Sequence, residues 1–166
     1  FVSDRRQEGI DRIARAIPCT RFGRWTALSN LCWVLLDAGK PEEALRWAEE
    51  GLQRFPSSRF FLWPAAEACF RLGRWKEAEL LFSQILQGLK GEPKSSGYNE
   101  LICLLKVAQC RQERGDLEGA MAAVSAALST RVGDGVRSRA EHLFEQARKR
   151  YAELQRQLSE VRSPER

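Results

Sequence analysis

The chain has 166 residues, 43% hydrophobic and 30% charged, which suits one buried core or one array of repeats and is too apolar for a disordered segment. Leu (20) and Ala (19) each outnumber Val, Ile and Thr combined (15), a balance that favours helix and argues against the sheet-based Rossmann and barrel enzymes. The net charge of +5 is concentrated at the ends, with six Arg against three acids in residues 1–24 and nine basic against six acidic groups in residues 131–166. Solvated helix ends account for that asymmetry, and an anionic partner touching the ends is the alternative. The apolar run Leu31–Ala38 is interrupted by Asp37 and closed by Gly39. No stretch reaches the roughly 18–20 residues that a bilayer requires. The chain begins at Phe1, which reads as a trimmed N-terminus, and Phe1–Gly9 lacks the apolar core of a signal peptide.

In chain order, Ile10, Ile13, Ala14 and Ile17 form an apolar helical stripe that Pro18 ends. Residues 1–24 are expected to be a capping helix or the remnant of an earlier repeat. Leu28, Leu31, Cys32 and Leu35 follow the i, i+3, i+4, i+7 spacing of a buried helical face. Gly39 supplies a left-handed helix end, and Pro41 suits the first turn of the next helix. Ala44, Leu45, Ala48 and Leu52 continue the pattern until Phe55-Pro56-Ser57-Ser58, where Ser57 or Ser58 is expected to cap the following helix. Pro64 falls inside that helix and is expected near its start or at a kink. Gly91, Pro93, Ser95, Ser96 and Gly97 mark a loop, with or without a helix extension. Near the C-terminus, Ala147, Tyr151, Leu154, Leu158 and Val161 step by 4, 3, 4, 3 along one polar helix. That helix caps the array, or pairs with its own copy.

The chain repeats. Gly39-Lys40-Pro41-Glu42-Glu43-Ala44 returns as Gly73-Arg74-Trp75-Lys76-Glu77-Ala78 and as Gly115-Asp116-Leu117-Glu118-Gly119-Ala120, at shifts of 34 and then 42. Leu28 falls on Leu62 and Leu104, Cys32 on Ala66 and Ala108, Ala48 on Phe82 and Val124, and Leu52 on Leu86 and Leu128. Three helix pairs are therefore expected at 25–58, 59–98 and 99–132, followed by a long terminal helix and tail at 133–166.

This pattern resembles the tetratricopeptide repeat family. The 34-residue period, the Gly-x-x-x-Glu-Ala turn, Ala78 with Phe82, and Pro56 at the close of a pair carry the resemblance over about residues 25–132. The family's early Trp is Leu28, Leu62 and Leu104 here. Its Gly is Cys32, Ala66 and Ala108, and its Tyr is Leu35, Cys69 and Arg111. Arg111 is the one swap that keeps neither size nor polarity. The resemblance implies an all-α, right-handed helix-pair solenoid. It also implies a concave face built from the first helix of each pair.

Carried over by register, the partner-binding positions on that face are Asn30 and Trp33 in the first pair. They are Phe60, Trp63, Glu67, Phe70 and Arg71 in the second, and Lys106 and Gln109 in the third. Ser29, Asp37, Leu105 and Glu113 share the same helices. The aromatic members would anchor a partner, or else pack on a neighbouring helix. The positions at which chaperone-binding members hold a terminal carboxylate read Ser29, Trp33, Pro64, Ile102 and Lys106, and only Lys106 keeps a suitable charge.

Signatures of catalysis are scarce. No GxGxxG, P-loop, GxSxG or HExxH motif occurs, and the single His142 has no Cys at metal-ligand spacing. Glu42-Glu43 and Glu49-Glu50 are adjacent on helices and point about 100° apart, so they read as solvated charges. Cys19, Cys32, Cys69, Cys103 and Cys110 are odd in number and contain no CxxC, and four lie in apolar patterns. They read as reduced thiols of a reducing compartment, which points to the cytoplasm. Interleaved Lys, Arg and Glu leave no phosphate-tracking stripe, so nucleic acid is not expected as a partner. The expected function is a scaffold or adaptor that binds a protein or peptide, without catalysis, metal or cofactor. The alternatives are self-association through the C-terminal helix, as a homodimer, and a regulatory domain of a longer protein.

Overall fold

The computed structural model describes residues 5–19, 23–90, 92 and 96–162. Its helices are α1 (Arg6–Ala16), α2 (Arg24–Asp37), α3 (Pro41–Arg54), α4 (Arg59–Arg71), α5 (Trp75–Lys90), α6 (Tyr98–Glu113), α7 (Leu117–Leu128) and α8 (Arg137–Arg162). Short 3-10 turns at Ile17–Cys19 and Asp134–Val136 complete it, and no strand occurs among the described residues. The fold is all-α, as the composition requires. Gly91, Pro93 and Ser95 of the expected loop lie outside the described residues.

Three turns share one construction. Gly39, Gly73 and Gly115 have φ of 72°, 69° and 79°, a region that a Cβ makes unfavourable. Each Gly N–H donates three residues back, to Leu36, Phe70 and Gln112. Each following N–H donates five residues back, from Lys40 to Leu35, from Arg74 to Cys69 and from Asp116 to Arg111. These paired bonds satisfy the last carbonyls of the preceding helix. Five residues after each glycine, Ala44, Ala78 and Ala120 are fully buried. The matched set of Cys32, Ala66 and Ala108 is buried as well, and so is that of Ala48, Phe82 and Val124.

The chain divides into two compact units, one ending at Arg74 and the other starting at Trp75. The division falls at the Gly73 turn, inside the 59–98 segment. In the first unit, α2 packs on α1, α3 and α4, and α3 packs on α4. Leu28, Leu31, Leu35 and Leu36 of α2 form its centre, and Ile10 and Ile17 are buried beside it.

Pro64 is the sixth residue of α4, beyond its first turn, and the helix continues to Arg71. Proline has no N–H, so the carbonyl of Phe60 loses its helical donor. Ser29, the one buried polar residue among those described, supplies the replacement. Its Oγ donates to the Phe60 carbonyl at 2.9 Å. Ser58 holds the N-cap position of α4 but makes no side-chain cap bond, and its carbonyl instead accepts from Phe61 and Leu62.

In the second unit, α6 packs on α5, α7 and α8, and α7 packs on α8. Arg111, the irregular position, has a defined use. Its Nε donates to Glu79 Oε1 at 2.7 Å, and its Nη1 donates to the Gly119 carbonyl at 3.1 Å. Arg114 pairs with the other oxygen of Glu79. One guanidinium thus ties α5, α6 and α7 together where a Tyr would have supplied bulk. Asp116 caps α7 by accepting from the Gly119 N–H at 2.8 Å. Along α8 the inward residues are Ala140, Leu143, Ala147 and Leu154, whereas Tyr151 and Val161 are exposed. The apolar seam read from the sequence is therefore split, and Ala147 and Leu154 belong to the interior of this unit.

Cys32, Cys69, Cys103 and Cys110 are buried free thiols, and Cys19 is exposed. Burial pushes the Cys32 thiol up to about 12, and burial with nearby Glu100 pushes Cys103 to about 12. Burial, reinforced by Glu79, pushes Cys110 to about 11.

Two outcomes are expected. Ser29→Ala should destabilise the fold by about 1–3 kcal/mol, because the part-buried Phe60 carbonyl is left without a protein donor. In a Pro64→Ala background the restored N–H should remove most of that loss, which denaturant titration of the four proteins of the cycle will measure. The raised thiols ionise more readily in the unfolded chain, so their contribution is whole below the ordinary thiol value of 9.0 and is lost as pH rises toward about 12. Because Cys19 is exposed and the other four thiols are buried, Cys19 should react first with a thiol reagent at pH 8 and the others only on unfolding.

Candidate functional site

The first unit carries an aromatic cleft. Trp25, Thr26, Ser29 and Asn30 lie at i, i+1, i+4 and i+5 on α2 and present one face. Phe55 and Ser58 come from the connection that follows α3, and Phe60 and Phe61 from the start of α4. Together they enclose a cavity of about 250 Å³.

Its wall is a cluster of three rings. Trp25 meets Phe55 edge to face at 5.2 Å between centroids, and meets Phe61 at 6.2 Å. Phe55 and Phe61 lie nearly parallel at 6.4 Å. Such pairs add about 0.5–1.5 kcal/mol each beyond simple burial. Gly51 on α3 lets Phe61 reach this position, since a Cβ at residue 51 would stand 2.3 Å from its ring. The Arg24 guanidinium lies 5.1 Å over Trp25 and pairs with Glu50 at 2.6 Å. Arg54 lies 5.5 Å over Phe55. Phe60 is 76% exposed at the edge of the cavity, against 2% for Phe61.

The positions carried over by register separate into groups. Asn30 and Phe60 meet in this cleft, while Ser29 is buried and holds the Phe60 carbonyl. Trp33 is 40% exposed, three residues beyond Asn30 on α2. Trp63 and Phe70 are half-buried on α4. Glu67 pairs with Arg71 Nε at 3.1 Å, and Arg71 Nη1 donates to the Leu36 carbonyl at 2.6 Å. Arg71 thus closes the end of α2. Lys106 and Gln109 belong to the second unit and line a cleft of about 280 Å³ between α6 and α8. Its floor is Ile102, Leu105 and Leu143, and Lys149, Arg150 and Glu153 edge it.

Trp25, Phe55 and Phe61 were not among the positions that register selects. Phe55 stands outside helical periodicity, and Phe61 occupies the buried face of α4. The available signal was the density of rings, with Phe55, Phe60 and Phe61 within seven residues of each other.

The described residues contain no cluster of His, Cys, Asp and Glu able to hold a metal ion. His142 is exposed on α8. No helix of the described residues is long and apolar enough to cross a membrane.

An array of helices closed by glycine turns, with an open aromatic cleft, defines a helical-repeat protein. A family model described as tetratricopeptide repeat matches residues 26–165, and the chain belongs to this family. No curated protein matches it. The family generally consists of protein–protein interaction scaffolds.

The cleft separates two adjacent phenylalanines. Phe61→Ala should lower stability by about 3–5 kcal/mol by opening a cavity under Trp25. Phe60→Ala should change stability by no more than about 0.5 kcal/mol. Thermal melts of the two variants will test the assignment of wall and edge.

Proposed function

We propose that this chain is a non-catalytic scaffold that binds an apolar side chain of a partner polypeptide in the cleft of its first unit. The observation that carries this reading is Phe60, a large exposed ring beside a cavity already walled by Trp25, Phe55 and Phe61. Aromatic side chains give large contact area with few rotors and are enriched at binding hot spots. The Asn30 amide at the same cleft offers both a donor and an acceptor to a peptide backbone. Trp33, exposed on the same helix, would extend the contact.

The reading takes 25–58, 59–98 and 99–132 as the helix pairs, supported by the equal burial of their matched positions. It places the chain in a reducing compartment, consistent with the cytoplasm, on the strength of four buried thiols.

Affinity capture with the intact chain, followed by quantitative binding of each captured protein, tests the reading. Phe60→Ala should weaken the cognate partner by at least about 2 kcal/mol. Leu80→Ala removes an equally exposed apolar residue from the other unit and should leave that affinity unchanged. Equal binding by wild type and Phe60→Ala would overturn the assignment.

A further inference from the structure

We propose that the cleft between α6 and α8 is a second binding site, which takes acidic side chains within a peptide segment of a partner protein. It shares with the reading above only that the ligand is a polypeptide. The two clefts are built from different helices and residues.

The argument begins with Arg150. The inward stripe of α8 runs Ala140, Leu143, Ala147 and Leu154, and spacing places residue 150 on it. A half-buried cation stands where an apolar residue would pack. Its guanidinium donates to Gln112 Oε1 at 2.7 Å and to Gln109 Oε1 at 3.3 Å. Both acceptors are neutral carboxamides. They satisfy N–H groups and leave the charge without a counter-ion among the described residues. A partly desolvated cation gains more from an arriving carboxylate than one in open water does.

The rest of the cleft agrees in sign. Lys106 and Lys149 share it with Arg150, while Glu153 is its one acid and accepts from Gln157 at 3.2 Å. Even without Lys106, which also lies 5.9 Å over the Phe82 ring, Lys149 and Arg150 outweigh the one carboxylate. Lys149 is exposed. Ile102, Leu105 and Leu143 give the floor an apolar character, which suits an aliphatic residue beside the acid. The volume of about 280 Å³ lies at the small end for ligand pockets, so it fits one or two side chains of a peptide. Nucleic acid fits less well. Glu153 interrupts the cations, and Arg148 on the same helix is paired with Glu141 at 3.3 Å, which leaves no row of cations at phosphate spacing.

The probes are short peptides, acetylated and C-terminally amidated, that place Glu and Leu one helical turn apart. Amidation ensures that only side-chain carboxylates are offered. Titrated into the intact ¹⁵N-labelled chain, they should shift amides of α6 and α8 around Lys106 and Arg150. Replacing Glu by Gln in the peptide should weaken binding by about tenfold, the equivalent of one well-made charged contact. Lys149→Glu should weaken it by about tenfold with the thermal melt unchanged, and Lys149→Arg should retain it. Phe60→Ala should leave it untouched, so loss of either cleft is read separately.

The proposal is overturned if no Glu peptide perturbs α6 and α8, or if the Gln peptide binds equally. It is also overturned if Lys149→Glu has no effect, if an oligonucleotide displaces the peptide at lower concentration, or if the same amides shift with protein concentration alone, which would mark the cleft as a contact between copies.

Discussion

The rest of this structure depends on ending a helix within two residues and starting the next one in a fixed direction. The left-handed glycine and its two backward hydrogen bonds do this at Gly39 within the first unit and at Gly115 within the second. With an L side chain the same backbone would cost about 1 kcal/mol or more at each turn. Ala44 and Ala120, five residues later, bring nothing larger than a methyl group to the interior of their units and are sealed from solvent. Turn and small residue act together. The turn fixes where the next helix begins, and the alanine fixes how near its neighbours can come.

Departures from this regularity are held by specific polar bonds. Pro64 removes a backbone donor from α4, and Ser29 returns one from α2. Arg111 replaces an aromatic ring, and Glu79 with the Gly119 carbonyl gives its guanidinium partners on both flanking helices. Arg71 donates across to the end of α2. Ser29 and Arg71 each join two helices by one polar side chain, and Arg111 joins three. Helix pairs that lack the usual family residue therefore remain tied, with directional bonds in place of bulk.

Much of the fold was legible because helical periodicity is a local signal. Leu28, Leu31, Cys32 and Leu35 declare a buried face without reference to any other helix, and the shift to Leu62 and Leu104 declares the repeat. Pro64 and Arg111 were legible as irregularities. Their partners were not, since Ser29 and Glu79 lie more than thirty residues away in the chain. The site was legible in part. Register selected Asn30 and Phe60, which share the aromatic cleft, and also Arg71 and Gln109, whose hydrogen bonds to the Leu36 carbonyl and to Arg150 it gave no sign of. It passed over Phe55 and Phe61, whose places depend on an irregular connection and on a cross-helix contact. The heptad spacing on α8 likewise selected Tyr151, whereas packing on α6 and α7 turns Arg150 inward.

The glycine at position 51 has a consequence of a different kind. No partner would touch it, since it lies buried on α3. Its missing methyl group nonetheless decides where the Phe61 ring rests, and that ring is a wall of the aromatic cleft. The shape of this cleft can therefore be retuned from the interior, by a change invisible at the surface. Two relatives with identical cleft-lining residues would differ in the shape of the cleft through this one concealed position.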